Sequence, residues 1–252
     1  NHADYLNDCV ESVAAQEFRH PFNIFVYDDR STKNGLTGSP KSVLWNLRNH
    51  GFDVEIGEEN LGVSRARNRC WRAKGKAPLL LFVDGDDKLD SMCLEKMWRR
   101  MKIAKADVVY PKMAIFTDGQ LTAHGRVHQG EFDRARLFRS NFIPVTSLMR
   151  RTDLESVAGF DEGMTVGFED WELWIRLALL GLKFTFEPDA FLYYRHHPDA
   201  RSHEANKRMD SVLSYIRGKH RALYDVALKP KVFELDEFDD IVVGEAVVTN
   251  PA

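Results

Sequence analysis

Long apolar runs are missing from this chain. The longest, Ala77-Pro78-Leu79-Leu80-Leu81-Phe82-Val83, stops after seven residues, far short of the roughly 18 that cross a bilayer, so no transmembrane segment is expected. Cysteine is scarce. Cys9, Cys70 and Cys93 are too few and too scattered for a disulfide framework or a zinc knuckle. The default compartment is therefore reducing and cytoplasmic, with a peripheral position at a membrane surface left open. Asn1 to Val10 carry no basic stretch followed by an apolar core, so a signal peptide is not expected there. An excess of one charge is lacking too: 35 Lys plus Arg meet 38 Asp plus Glu, for a net charge of -3. That balance argues against a nucleic-acid partner, because neutralising phosphates needs a basic face. The basic run Trp98-Arg99-Arg100-Met101-Lys102 reads as the solvated side of a helix. No Gly-x-x-x-x-Gly-Lys-Ser/Thr loop occurs, and no Gly-x-Gly-x-x-Gly follows a strand. A phosphate-rich ligand would have to be held by metal and side chains.

What is present is the material of a folded α/β domain. Hydrophobic residues make up 44% of the 252, with five Trp and sixteen Phe, which excludes a disordered chain. The first 110 residues alternate. Helical spacing over Tyr5 to Ala15 gives way to a strand at Asn23 to Tyr27, a helix over Ser39 to Asn49 and a strand at Asp53 to Ile56. A helix follows over Val63 to Ala73, then the strongest strand pattern at Leu79 to Val83, a helix over Leu89 to Ala104 and a strand at Val108 to Tyr110. This order predicts a mostly parallel sheet flanked by helices on both faces. Farther on come a hairpin turn at Thr117 to Gln120, a short helix at Phe132 to Phe138 and an extended run at Phe142 to Met149. A helix over Glu169 to Leu180 closes at Gly181, a strand covers Lys183 to Phe186, and His203 to Tyr224 is mostly helical. We read one domain with a ligand-binding subregion at 1–110, a second subregion at 111–203 and a C-terminal helix and tail at 204–252.

Chemistry concentrates where strands end. Asp28-Asp29 follow one strand and Asp84-Gly85-Asp86-Asp87 follow another, and open α/β sheets bind ligands beyond such ends. Either cluster alone would be an ordinary cap or turn. Together they crowd carboxylates that repel unless a cation offsets them, and a hard divalent ion is the simplest offset. The turn at Gly62 opens a helix carrying Arg65 and Arg67, both suited to charge-assisted contacts. Glu169-Asp170 open another helix, with Trp171 and Trp174 three apart on one face. Either indole could stack on a ligand; core packing is the competing use, and the better one for Trp174.

In order along the chain, Val26-Tyr27-Asp28-Asp29-Arg30-Ser31-Thr32, Asn60 to Asn68, Asp84-Gly85-Asp86, Gly159-Phe160-Asp161-Glu162, Glu169-Asp170-Trp171 and Tyr194-Arg195-His196-His197 resemble the motifs of the inverting, nucleotide-sugar-dependent glycosyltransferases of family 2, which have the GT-A fold. The resemblance covers about residues 1–203. It implies that Asp29 receives the nucleotide base with Asp28 in support, that Arg65 or Arg67 sits near the phosphates and that Asp84 faces the ribose. It further implies that Asp86 holds Mn2+ or Mg2+ through the diphosphate, with His197 approaching from the C-terminal side. Asp170 would be the general base, with Glu169 beside it. The donor implied is a UDP-sugar, and the acceptor is a glycan, a lipid-linked molecule or a small molecule, as in surface polysaccharide synthesis. The Gln-x-x-Arg-Trp motif of processive members is absent, which favours transfer of one sugar or a few. Two other readings compete. One is a sugar-phosphate nucleotidyltransferase, which would want a glycine-rich loop near the first strand. The other is a binding module without catalysis, against which Asp86 and Asp170 stand.

Two departures from the family pattern matter. Arg30 stands where Gly is usual, so that loop is expected to differ. The family's initial strand is matched only at Asn1, so its slot beside Asn23 to Tyr27 is expected to be filled from upstream or by the β-prone tail around Val247.

Overall fold

The central strand at 108–117 opens with three consecutive buried apolar residues, Val108, Val109 and Tyr110, so both of its faces need helices to cover them. The computed structural model describes residues 3–31, 40–73, 77–117, 120–121, 129–165, 167–196 and 207–227. The first half holds α1 (Ala3–Ala14), β1 (Phe25–Asp28), α2 (Pro40–Asn49), β2 (Asp53–Ile56), α3 (Val63–Ala73), β3 (Leu79–Leu80), β4 (Lys88–Leu89) and α4 (Cys93–Ala104). The second holds β5 (Val108–Thr117), β6 (Gln120–Leu121), α5 (Arg134–Leu137), β7 (Leu148–Arg150), α6 (Arg151–Ser156), α7 (Glu169–Leu179), β8 (Phe184–Arg195), α8 (Met209–Lys219) and α9 (Arg221–Ala227).

Strands β3-β7-β5-β8-β4 lie side by side, with β6 paired to β5. The long β5–β8 pair is parallel, whereas β3–β7, β5–β7, β4–β8 and β5–β6 are antiparallel. Successive residues of β5 face opposite ways. Val108 and Tyr110 join the cluster built on Trp171 and Trp174 of α7. Val109 and Met113 join the cluster built on Met97 and Met101 of α4. Helices therefore cover both faces, as expected.

Three expectations need correction. Leu79 to Val83 pairs over Leu79–Leu80 alone, and with an antiparallel partner. The strand expected to stop at Phe186 runs to Arg195, because the ladder skips Pro188 to Ala190: Pro111 faces Glu187 and Lys112 faces Phe191. A bulge absorbs the missing proline N–H. Finally, among the described residues the sheet is not continuous. β1 and β2 form a parallel pair of their own, packed with α1 and α2 around Val26, Val43, Leu44 and Val54. Helix α1 joins the two units, since Leu6 and Val10 belong to the small cluster and Cys9 to the α4 cluster. The tail proposed for the first-strand slot lies outside the described residues, as do part of the hairpin turn, His197 and His203. No helix among the described residues is long and apolar enough to cross a membrane.

Two of the motifs dock on each other through Asn68. Its Nδ2 donates to the Phe160 carbonyl at 2.8 Å, and its Oδ1 accepts from the Phe160 N–H at 2.8 Å and from Trp71 Nε1 at 3.0 Å. Gly159 makes this approach possible. Its φ is +84°, and a Cβ there would lie 2.3 Å from Asn68 Oδ1. Gly159→Ala is therefore expected to cost about 2–3 kcal/mol, read as a fall of about 5–10 °C in melting temperature. An unchanged melting temperature would show that the loop relaxes freely.

Candidate active site

At the end of β1 the carboxylates are tied to local N–H groups. Asp29 is fully buried; its Oδ1 accepts from Leu61 N at 2.9 Å and its Oδ2 from Gly62 N at 2.8 Å. Asp28 accepts from Ser31 N at 3.2 Å and from the Ser31 hydroxyl. Asp29 thus fastens the loop that opens α3 to the end of β1. Arg30 sits at φ 66°, exposed and left-handed, the conformation that glycine adopts without strain.

The two arginines of α3 part company. Arg65 is surface-lying, 3.5 Å from Glu162, and lines a shallow hollow with Arg69 and Arg72. Arg67 is fully buried: it pairs with Glu169, lies 3.6 Å from Asp84 and stacks over the Phe160 ring at 5.3 Å. The expectation that either would serve a phosphate is corrected for Arg67, whose charge is committed to two protein carboxylates.

The acidic turn follows β3. Asp84, Asp86 and Asp87 are all more than nine-tenths buried, and Asp87 N donates to the Asp84 carbonyl at 3.0 Å. Burial pushes the Asp87 carboxyl well above the usual range, and the Asp86 charge pushes the same way. Arg195, whose role was not foreseen, offsets this: its N–H donates to Asp87 Oδ1 at 2.9 Å and its Nε to the Asp86 carbonyl at 2.8 Å.

Entry into α7 is strained. Gly167 has φ 109° and Phe168 φ 61°, a left-handed bend that a bulky residue rarely takes. It delivers Glu169 and Asp170 side by side, both buried. Asp170 Oδ2 accepts from Asn141 Nδ2 at 3.1 Å and Oδ1 from Trp171 N at 2.7 Å. Burial raises the Asp170 pKa to about 7; the Glu169 charge adds to this and Arg67 opposes it. Asn141 was missed because nothing in its surroundings in sequence marks it, and it comes from 29 residues away. The stacking role expected of Trp171 is also corrected. It is 1% exposed and its indole N–H donates to the Leu137 carbonyl at 2.6 Å, so both Trp171 and Trp174 are core.

Asp84, Arg67, Glu169, Asp170 and Asn141 thus form one buried polar chain from the acidic turn to α7. Among the described residues no three His, Cys, Asp or Glu side chains group as a complete metal cage. The donor set still suits a hard divalent ion shared with a ligand, since Mg2+-like ions use one or two carboxylates plus phosphate oxygens.

The model of Glycosyl transferase family 2 matches residues 1–169. This chain belongs to that family. It is a glycosyltransferase with the GT-A fold. Among solved structures it is similar to S. aureus TarS 1-349 in complex with UDP, at 19% identity and TM-score 0.61, over 91% of this chain and 72% of that one. The complex of the same TarS fragment with UDP-GlcNAc gives 18% identity and TM-score 0.62, over 90% and 73%. GalNAc-T7 with UDP, GalNAc and Mn2+ gives 15% and 0.62, over 77% and 41%. No curated protein matches this glycosyltransferase.

Proposed function

We propose that this glycosyltransferase moves a sugar from a UDP-linked donor to an acceptor hydroxyl with inversion, and that Asp170 is its base. The observation that carries this is a buried carboxylate with its pKa near 7, held by Asn141 beside the Arg67–Glu169 pair. A base poised near neutral pH suits removal of a hydroxyl proton as that oxygen attacks the anomeric carbon. The proton goes to an Asp170 oxygen. The bond from the anomeric carbon to the diphosphate breaks, and its electron pair leaves with the diphosphate. Support for a UDP-sugar comes from the UDP and UDP-GlcNAc complexes of TarS and the UDP complex of GalNAc-T7.

Asp29 and Asp28, with Arg65 near the loop mouth, would face the nucleotide, and Asp84 the ribose. Asp86 would hold Mn2+ or Mg2+, with His197, and a bound ion would counter the leaving charge; the Mn2+ in GalNAc-T7 supports this choice. The acceptor would be a glycan, a lipid-linked molecule or a small molecule.

A donor screen by thermal shift with Mn2+, followed by a transfer assay, tests the reading: a UDP-sugar should raise the melting temperature and be consumed. Asp86→Ala is expected to bring turnover to background and to weaken donor binding, with the melting temperature preserved. Full turnover of Asp86→Ala, or of the native protein in EDTA, would overturn the metal assignment.

A further inference from the structure

β8 ends at Arg195, which is 7% exposed. A buried guanidinium needs partners on its edge and faces. Its edge donates through Nε to the Asp86 carbonyl at 2.8 Å, and Nη2 reaches Asp8 Oδ2 at 3.2 Å. Its faces are covered by the rings of Tyr5 and Phe116, at 4.3 and 4.5 Å from Cζ to the ring centres. The residue's own main-chain N–H holds the Asp87 carboxylate at 2.9 Å. One residue therefore grips two consecutive members of the acidic turn, and it is itself clamped by α1 and β5.

The grip falls on atoms other than the Asp86 carboxylate. An anchored Asp86 carbonyl fixes the peptide plane from which the Asp86 side chain departs, and an anchored Asp87 carboxylate keeps the second charge from following it. The positive charge is shared between Asp8, two aromatic faces and the turn itself, where it counters part of the carboxylate charge.

We propose that Arg195 is the positioning residue of the divalent-cation site, holding the 84–87 turn in the geometry from which Asp86 takes the ion. This rests on the reading of Asp86 as the ligand. Outer partners of this kind tune metal affinity without touching the metal, and Lys cannot replace a planar fork clamped between rings.

The test is Mn2+ binding by the full chain with UDP present, followed by the EPR signal of free Mn2+, for the native protein, Asp86→Ala and R195K. Melting temperatures are taken in parallel. Native protein should bind, Asp86→Ala should not, and R195K should bind about 10- to 100-fold more weakly while still melting cooperatively. If Asp86→Ala loses the ion and R195K binds it as the native protein does, the positioning role is overturned and the ligand assignment stands. If the native protein does not bind, or Asp86→Ala binds normally, both fall. Should R195K fail to fold, Tyr5→Leu removes one covering face and is expected to weaken Mn2+ about 2- to 5-fold; unchanged affinity there overturns the proposal.

Discussion

Asp170→Asn is expected to slow transfer about 100- to 10,000-fold while nucleotide affinity hardly moves. The change keeps the shape of the side chain and leaves one oxygen to accept from Asn141 or from Trp171 N, but removes the carboxylate that accepts the proton. The native rate should fall on the acid side of about pH 7, where Asp170 takes up a proton. Stability follows the opposite course. A carboxyl whose pKa is raised on folding stabilises the protein fully below its unfolded value, and that contribution is lost as pH rises through about 7. The native melting temperature should therefore drop between pH 5 and pH 8, and the Asn variant should show a flatter profile. A near-normal rate for Asp170→Asn at saturating acceptor would move the base elsewhere.

Arg67→Met is expected to cost about 3–5 kcal/mol, because it strands the buried Glu169 and Asp84 carboxylates. In a chain of this size that is a fall of roughly 10 °C in melting temperature. Where the variant still folds, the acid limb of its rate profile should move to higher pH, since Arg67 is the largest of the influences that hold the Asp170 pKa down, ahead of the bonds from Trp171 and Asn141. Adding Glu169→Gln should recover part of the stability. A limb that stays in place, measured as kcat against pH from 5 to 9, would separate Arg67 from the base.

The sequence carried most of this layout. Helices α2 and α3, strand β2 and the acidic ends of β1 and of the 79–83 segment depend on local spacing and turn residues, and they stand where patterns put them. Missing features arise from tertiary pairing. Pro188 argues locally against a strand, yet a bulge in the partnership with β5 carries β8 past it to Arg195. Arg67 looks like any helical arginine until Asp84 and Glu169 are brought to it, and Trp171 looks available until the α7 core closes over it. Likewise, Asn141 acquires meaning only from its contact with Asp170.

The separate β1–β2 unit has a consequence for amide exchange. Among the described residues it rests on seven buried apolar side chains, against twenty-two in the cluster around α7. Units with small cores open on their own, below the energy of global unfolding. Amide protons of Val26 and Val54 should therefore exchange with solvent long before those of Leu173 and Ile175. A nucleotide held at Asp28 and Asp29 would slow the faster set alone, by the factor that its concentration and dissociation constant set. The unit that would greet the donor is thus the one that a bound donor would protect from opening.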